Sequence, residues 1–231
     1  MTAIVLVHGS YHDPSCWDRF TPELERLGHT VTAVDVPVSD PSAGTSEYAD
    51  AIERQVDWSE PPVLVGHSSA GLIIPIVATR RPVRQLVFLA ALLPKPGMSA
   101  NEQRATEPID GPGPLTTAEW TDLGNDVWMI GPKTATEIFF PDAAPADAAW
   151  AVSLLRPQSY RAMNEITPLT GWPDVPSAYI LCRDDRAFNP EWARAAARER
   201  LGVEAYEIDG GHSPFLTRPM ELAALLDSIL E

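Results

Sequence analysis

The chain has 231 residues, 45% hydrophobic and 21% charged, which supplies the core of one α/β domain and excludes a disordered chain. Its formal net charge is −15, which repels phosphate backbones and anionic lipid surfaces, so nucleic-acid and membrane-surface binding are excluded as functions. There is no C-x-x-C pair and no i, i+4 histidine pair on a helix, so no metal site is expected.

In chain order, Met1–His8 lacks a basic region and a cleavage signature, and reads as a first strand rather than a secretory signal. No apolar run approaches the roughly 18 residues of a membrane span. The continuous apolar run Ala3–Val7 predicts a strand buried on both faces. Cys16–Leu27 predicts a helix, with Pro14 and Ser15 before it and Gly28 after it. A strand at Thr30–Val36, a helix at Ser46–Val56, a strand at Val63–Val65, a helix at Ser69–Arg80 and a strand at Gln85–Leu89 follow. Later come a strand at Ser177–Cys182, a helix at Pro190–Leu201, a strand at Glu204–Ile208 and a closing helix at Pro219–Leu230. This alternation predicts an α/β fold with a doubly wound, mainly parallel sheet.

The stretch Pro94–Pro176 interrupts the alternation and holds 12 of the 23 prolines and four of the seven tryptophans. Short helices are expected at Thr117–Leu123, Thr134–Phe139, Ala146–Leu154 and Ser159–Glu165. Residues 94–176 therefore read as a helical cap inserted into a core of 1–93 and 177–231. Ligands of open α/β sheets bind outside the carboxyl ends of the strands, where such an insertion would roof a pocket. Cys16 and Cys182 read as reduced thiols of a cytoplasmic protein. The sequence leaves a homodimer open.

Chemistry concentrates at the carboxyl ends of the predicted strands. Pro62-Val63-Leu64-Val65-Gly66-His67-Ser68-Ser69-Ala70-Gly71-Leu72 reads as strand, sharp turn and helix, with Ser68 at the apex. Small residues are needed on both sides because strand and helix backbones nearly touch. The serine then sits at a helix N-terminus, where negative charge is favoured. Ala70 stands where a second glycine is usual in G-x-S-x-G, and it is nearly as small. The loop His8-Gly9-Ser10-Tyr11 offers the backbone N–H of Ser10 as one oxyanion donor, and Ser69 offers the second. His8 is expected to brace that loop. A carboxylate must orient a base, and Asp184 and Asp185 follow the strand Ser177–Cys182. The other place for the acid, after Gln85–Leu89, holds only Ala90-Ala91-Leu92-Leu93. His212, in Asp209-Gly210-Gly211-His212-Ser213-Pro214, is the candidate general base. His67 is expected to project away from the pocket.

These motifs resemble the α/β-hydrolase superfamily, and within it the plant methylesterase and hydroxynitrile lyase family. Ile4-Val5-Leu6-Val7-His8-Gly9-Ser10-Tyr11-His12 with Trp17 is similar to that family's V-L-V-H-G-x-x-H opening. Gly66-His67-Ser68 is similar to its G-H-S turn, and Tyr179-Ile180-Leu181-Cys182-Arg183-Asp184-Asp185 followed by Pro190 to its Y-I-x-C-x-E-D segment. In that register Asp185 matches the family's acid and Gly211-His212 its histidine turn. The resemblance implies a cofactor-free serine hydrolase acting on small carboxylic esters through Ser68, Asp185 and His212. Two departures favour the esterase branch: Ser213 stands where the lyases have lysine, and Gly9 where they have threonine. Expected pocket walls are Tyr11, Leu92, Trp120, Trp128, Phe139 and Phe188. The rival readings are a lyase, decarboxylase or cofactor-free oxygenase on the same fold, and a non-catalytic small-molecule binder.

Overall fold

The structure is a computed structural model that describes residues 1–114 and 119–230. Its strands are β1 (Ala3–Val7), β2 (Thr30–Val34), β3 (Val63–His67), β4 (Gln85–Leu89), β5 (Trp120–Asp122), β6 (Val127–Ile130), β7 (Gln158–Ser159), β8 (Ser177–Cys182) and β9 (Tyr206–Ile208). Helices α1 (Thr21–Arg26), α2 (Thr45–Gln55) and α3 (Ile74–Arg80) precede β4. Helices α4 (Ala100–Thr106), α5 (Pro132–Phe139), α6 (Pro145–Ser153) and α7 (Arg161–Asn164) lie between β4 and β8. Helices α8 (Pro190–Ala196), α9 (Pro214–Thr217) and α10 (Pro219–Leu230) complete the chain.

Six strands form one sheet in the order β2-β1-β3-β4-β8-β9, with every pairing parallel. The period-two alternation of β1 sends Val5 and Val7 to one face, against Ile52, Val77 and Trp192. Ile4 and Leu6 go to the other face, against Leu24, Leu222 and Leu226. Each such aliphatic side chain taken out of water contributes about 1.5–3 kcal/mol. Burial on both faces explains why these strands read as continuous apolar runs. Strand order reverses at β1, which lies between β2 and β3, so the loops leaving β1 and β3 open a crevice.

Three expected element bounds are corrected, two of them by proline. Cys16–Leu27 is not one helix: Asp13 caps an earlier 3₁₀ turn at Pro14–Trp17 by accepting the Ser15 N–H at 2.8 Å, and α1 restarts with Pro22 in its first turn. Ser69–Arg80 likewise divides into a tight turn at Ser68–Leu72 and α3, with Pro75 in the first turn. A helix interior would lose a hydrogen bond at either proline, whereas a first turn loses none. The expected Thr117–Leu123 helix is also corrected: Thr117 and Ala118 lie outside the described residues, and Trp120–Asp122 is strand. This β5 pairs antiparallel with β6, which pairs with β7. Gly124, Asn125 and Asp126 all have positive φ (85°, 53° and 59°), a hairpin-turn chemistry that the sequence does carry.

The turn beyond β3 is held from beneath by the segment after β4. Tyr179 on β8 donates its hydroxyl to the Ala91 carbonyl at 2.7 Å and accepts the Ala91 N–H at 3.0 Å. The Leu92 N–H donates to the Ser68 carbonyl at 3.0 Å. A Cβ at Gly71 would lie 2.0 Å from the Leu92 carbonyl oxygen, which is backbone and has no rotamer escape. Gly71→Ala is therefore expected to destabilise the fold by about 2–3 kcal/mol, read as a lower urea midpoint at unchanged m-value.

Candidate active site

The serine turn is strained where the sequence places its apex. Ser68 has φ of 55°, in the left-handed region that costs an L residue roughly 1–2 kcal/mol. Such strain persists only if the surroundings fix it, and they do. A Cβ at Gly66 would meet Ile74 Cδ1 at 2.9 Å, and one at Gly9 would lie 2.7 Å from Ser68 Cβ. The loop after β1 thus presses on the turn after β3, and Ser10 Oγ donates to Ser69 Oγ at 2.9 Å. Ser10 and Ser69 are neighbours although 59 residues separate them.

Four side chains lock this loop. The Val36 N–H donates to His8 Nε2 at 3.2 Å, so Nδ1 carries the His8 proton and donates it to the Gly9 carbonyl at 3.0 Å. His12 Nδ1 donates to the Ser10 carbonyl at 2.7 Å. Gln158 Oε1 accepts the Tyr11 N–H at 3.2 Å, and Arg156 donates from Nε to the His12 carbonyl at 2.8 Å. His8 braces the loop as expected. Arg156 and Gln158 were not legible, because they reach it from more than 140 residues away.

On the neighbouring strands, Asp185 and His212 form a buried pair. Asp185 is 4% exposed, and its Oδ2 lies 2.9 Å from His212 Nδ1. Asp185 Oδ1 accepts the N–H groups of Ala187 (2.8 Å) and Phe188 (3.0 Å), which fixes the carboxylate. Asp184 points to solvent, with its N–H on the Gly210 carbonyl at 3.0 Å. Gly210 is needed because φ is 96° and a Cβ would lie 2.5 Å from Asp142 Oδ2. His67 turns beneath the site and donates from Nε2 to the His212 carbonyl at 3.0 Å. Burial holds His67 neutral, with its pKa well below the usual histidine value. His212 Nε2 is buried and has no hydrogen-bond partner, so it is not bonded to Ser68 Oγ. Such contacts are often long in unliganded enzymes and tighten when substrate binds.

A cavity of about 300 Å³ opens over Ser10, Ser68 and Ser69. Tyr11, Trp120, Phe139 and Phe188 line it. Leu92 and Trp128 are not among its lining residues. Leu92 is packed in the core behind the serine turn, and the Trp128 indole N–H turns to Asp126 Oδ1 at 3.4 Å. The cavity is more polar than the aromatic walls imply, since Asn101, Arg104, Asp110, Gln158 and Tyr160 also line it. Arg104 donates to Asp110 Oδ1 at 2.7 Å and lies over the Phe188 ring. Lys133 is exposed and is not among the lining residues.

A six-stranded parallel sheet with a strained serine after one strand and a buried Asp–His pair after two others defines an α/β-hydrolase-type site. Residues 4–225 match the alpha/beta hydrolase family, and the chain belongs to it. It is similar to Methylesterase 3 of Arabidopsis thaliana, at 27% identity over 96% of this chain and 94% of that protein. It is likewise similar to Salicylic acid-binding protein 2 of Nicotiana tabacum, at 29% identity with coverage of 96% and 94%. The crystal structure of a polyneuridine aldehyde esterase mutant superposes with a TM-score of 0.85 at 24% identity, covering 100% and 99% of the two chains. The enzyme class to which the named esterases among these relatives point is carboxylic ester hydrolase.

Burial also pushes the His12 pKa down to about 4. The folded state then binds fewer protons than the unfolded state between about pH 6.5 and 4, so stability falls as pH drops through that window. A urea midpoint that is flat above pH 7 and falls towards pH 4 is expected, with a shallower fall in His12→Asn.

Proposed function

We propose that this chain hydrolyses small carboxylic esters through an acyl-enzyme on Ser68. The observation that carries the reading is the buried, unpartnered Nε2 of His212, whose other nitrogen is held by Asp185. A buried acceptor without a partner costs about 1–3 kcal/mol, and a base awaiting a proton is a reason to keep one. In this mechanism Ser68 Oγ attacks the ester carbonyl while His212 Nε2 takes its proton. The backbone N–H groups of Ser10 and Ser69 hold the oxyanion. The Ser69 N–H belongs to the start of the tight 3₁₀ turn Ser68–Leu72, which leaves it without an acceptor within that turn. His212 then protonates the leaving alcohol, and Asp185 stabilises the imidazolium. Water, deprotonated by the same nitrogen, cleaves the acyl-enzyme. Residues 94–176 act as the cap over a core of 1–93 and 177–231, and the protein works in the cytoplasm.

Three measurements test this reading. A fluorophosphonate probe is expected to label the parent at Ser68 and to leave Ser68→Ala unlabelled, with kcat on p-nitrophenyl acetate down by about 10³-fold or more. A labelled parent argues against a non-catalytic binder. Asp185→Asn is expected to lose about 10²–10⁴-fold, and Asp184→Asn far less, because only Asp185 reaches His212. Cyanide release from mandelonitrile is expected at the buffer rate. Ser213 is buried beside His212, and the cavity's Arg104 is already paired to Asp110. Mandelonitrile cleavage as fast as ester hydrolysis would overturn the esterase branch.

A further inference from the structure

Two residues lining the cavity adopt positive φ without being glycine. One is Ser68, and the other is Tyr11, with φ of 65°. Strain of this kind collects where a side chain must be aimed. Tyr11 is 3% exposed, and its hydroxyl lies 3.1 Å from the hydroxyl of Tyr160. One phenol donates to the other, so a single O–H remains available from the pair. Burial first, and then the Tyr160 hydroxyl, raise the Tyr11 pKa, so its proton stays on at any working pH. The Arg104 guanidinium acts on Tyr11 in the opposite sense, so it adds positive potential to the same corner. Its charge is offset by Asp110, which argues against recognition of a carboxylate. Trp120, Phe139 and Met163 supply apolar wall, and the amide N–H groups of Asn101 and Gln158 are already engaged by Asn164 Oδ1 and the Ser159 carbonyl. The corner is built to satisfy one neutral oxygen at the end of an otherwise apolar group.

We propose that the Tyr11–Tyr160 hydroxyl pair is a specificity subsite for a neutral acceptor oxygen, such as a ketone carbonyl, on the acyl part of the ester. The acyl side follows from chain order around the site. Tyr11 continues the loop whose Ser10 N–H would hold the carbonyl oxygen, whereas Phe188 flanks His212, which serves the leaving alcohol. This inference rests on the ester-hydrolase reading, and the experiment separates the two.

The test compares methyl 4-oxopentanoate, 5-oxohexanoate and 6-oxoheptanoate with methyl alkanoates of equal chain length. In the parent, kcat/KM is expected to favour the best-fitting keto ester by about tenfold, the worth of one good hydrogen bond. In Tyr11→Phe/Tyr160→Phe that ratio is expected to fall to about one. If that variant does not fold, Tyr11→Phe/Tyr160→Leu, which also lacks both hydroxyls, must lower the ratio to about one. Equal rates for keto and plain esters in the parent, or a ratio that survives both substitutions, overturn the subsite. A preference seen only when the ketone is on the alcohol part, as in acetates of keto alcohols, overturns the acyl placement. If no ester is turned over, the hydrolase reading fails by itself. Calorimetric titration of Ser68→Ala with the same esters then still decides the subsite, which predicts tighter binding of the keto esters and its loss in the Tyr11→Phe/Tyr160→Phe background.

Discussion

The close approach of two loops at the reversal of strand order is the constraint on which the site depends. The loop leaving β1 runs so near the turn leaving β3 that Gly9 has no room for a Cβ against Ser68. Parallel register between β1 and β3 sets that distance, with Val7 opposite Gly66. The sheet core holds the register because β1 and β3 are buried on both faces. Strain at Ser68 is thus maintained by apolar packing in the sheet and around the turn, while the polar contacts place the donors of the loop. A preorganised donor needs no rearrangement when charge develops, which is the main benefit of such rigidity.

Electrostatics near the site follow from burial in the same way. His12, His67 and His212 lie together in an aromatic surround formed with Trp17, Phe139 and Phe215. Two of these histidines are kept neutral by burial, so they act as hydrogen-bonding supports rather than as charges. His67 grips the His212 carbonyl and His12 grips the Ser10 carbonyl. A neutral scaffold leaves the Asp185 carboxylate as the one charge paired to the His212 ring among the described residues.

The stretch between β4 and β8 contributes more than a roof. Arg156 and Gln158 tie it to the loop after β1, and Ser159 donates its N–H to Val38 at 2.6 Å. Arg156 also reaches the Asp35 carboxylate and the Val36 carbonyl. The segment that lines the cavity therefore also positions the loop that carries Ser10.

The sequence by itself determined the strand–helix alternation, the strained serine turn, and the two loops that carry Asp185 and His212. All of these are written in contiguous residues: an apolar run of strand length, then small or turn-forming residues, then the polar side chain. It left Asp184 and Asp185 level, because their separation depends on which one turns inward after β8; resemblance favoured Asp185, and Asp185 is the one whose carboxylate meets His212 Nδ1. The Gly124–Asp126 hairpin was present in the residues but hidden among prolines and tryptophans that read as helical. Tertiary structure alone decided the polar side of the cavity. Arg104, Gln158 and Tyr160 have no local signature, and the contact of Tyr160 with Tyr11 spans 149 positions. It also decided that Leu92 belongs to the core and that Trp128 does not line the cavity. Local physics fixes where a chain bends and which side chain sits at the bend, whereas the side chains that meet across a cavity depend on packing between distant segments.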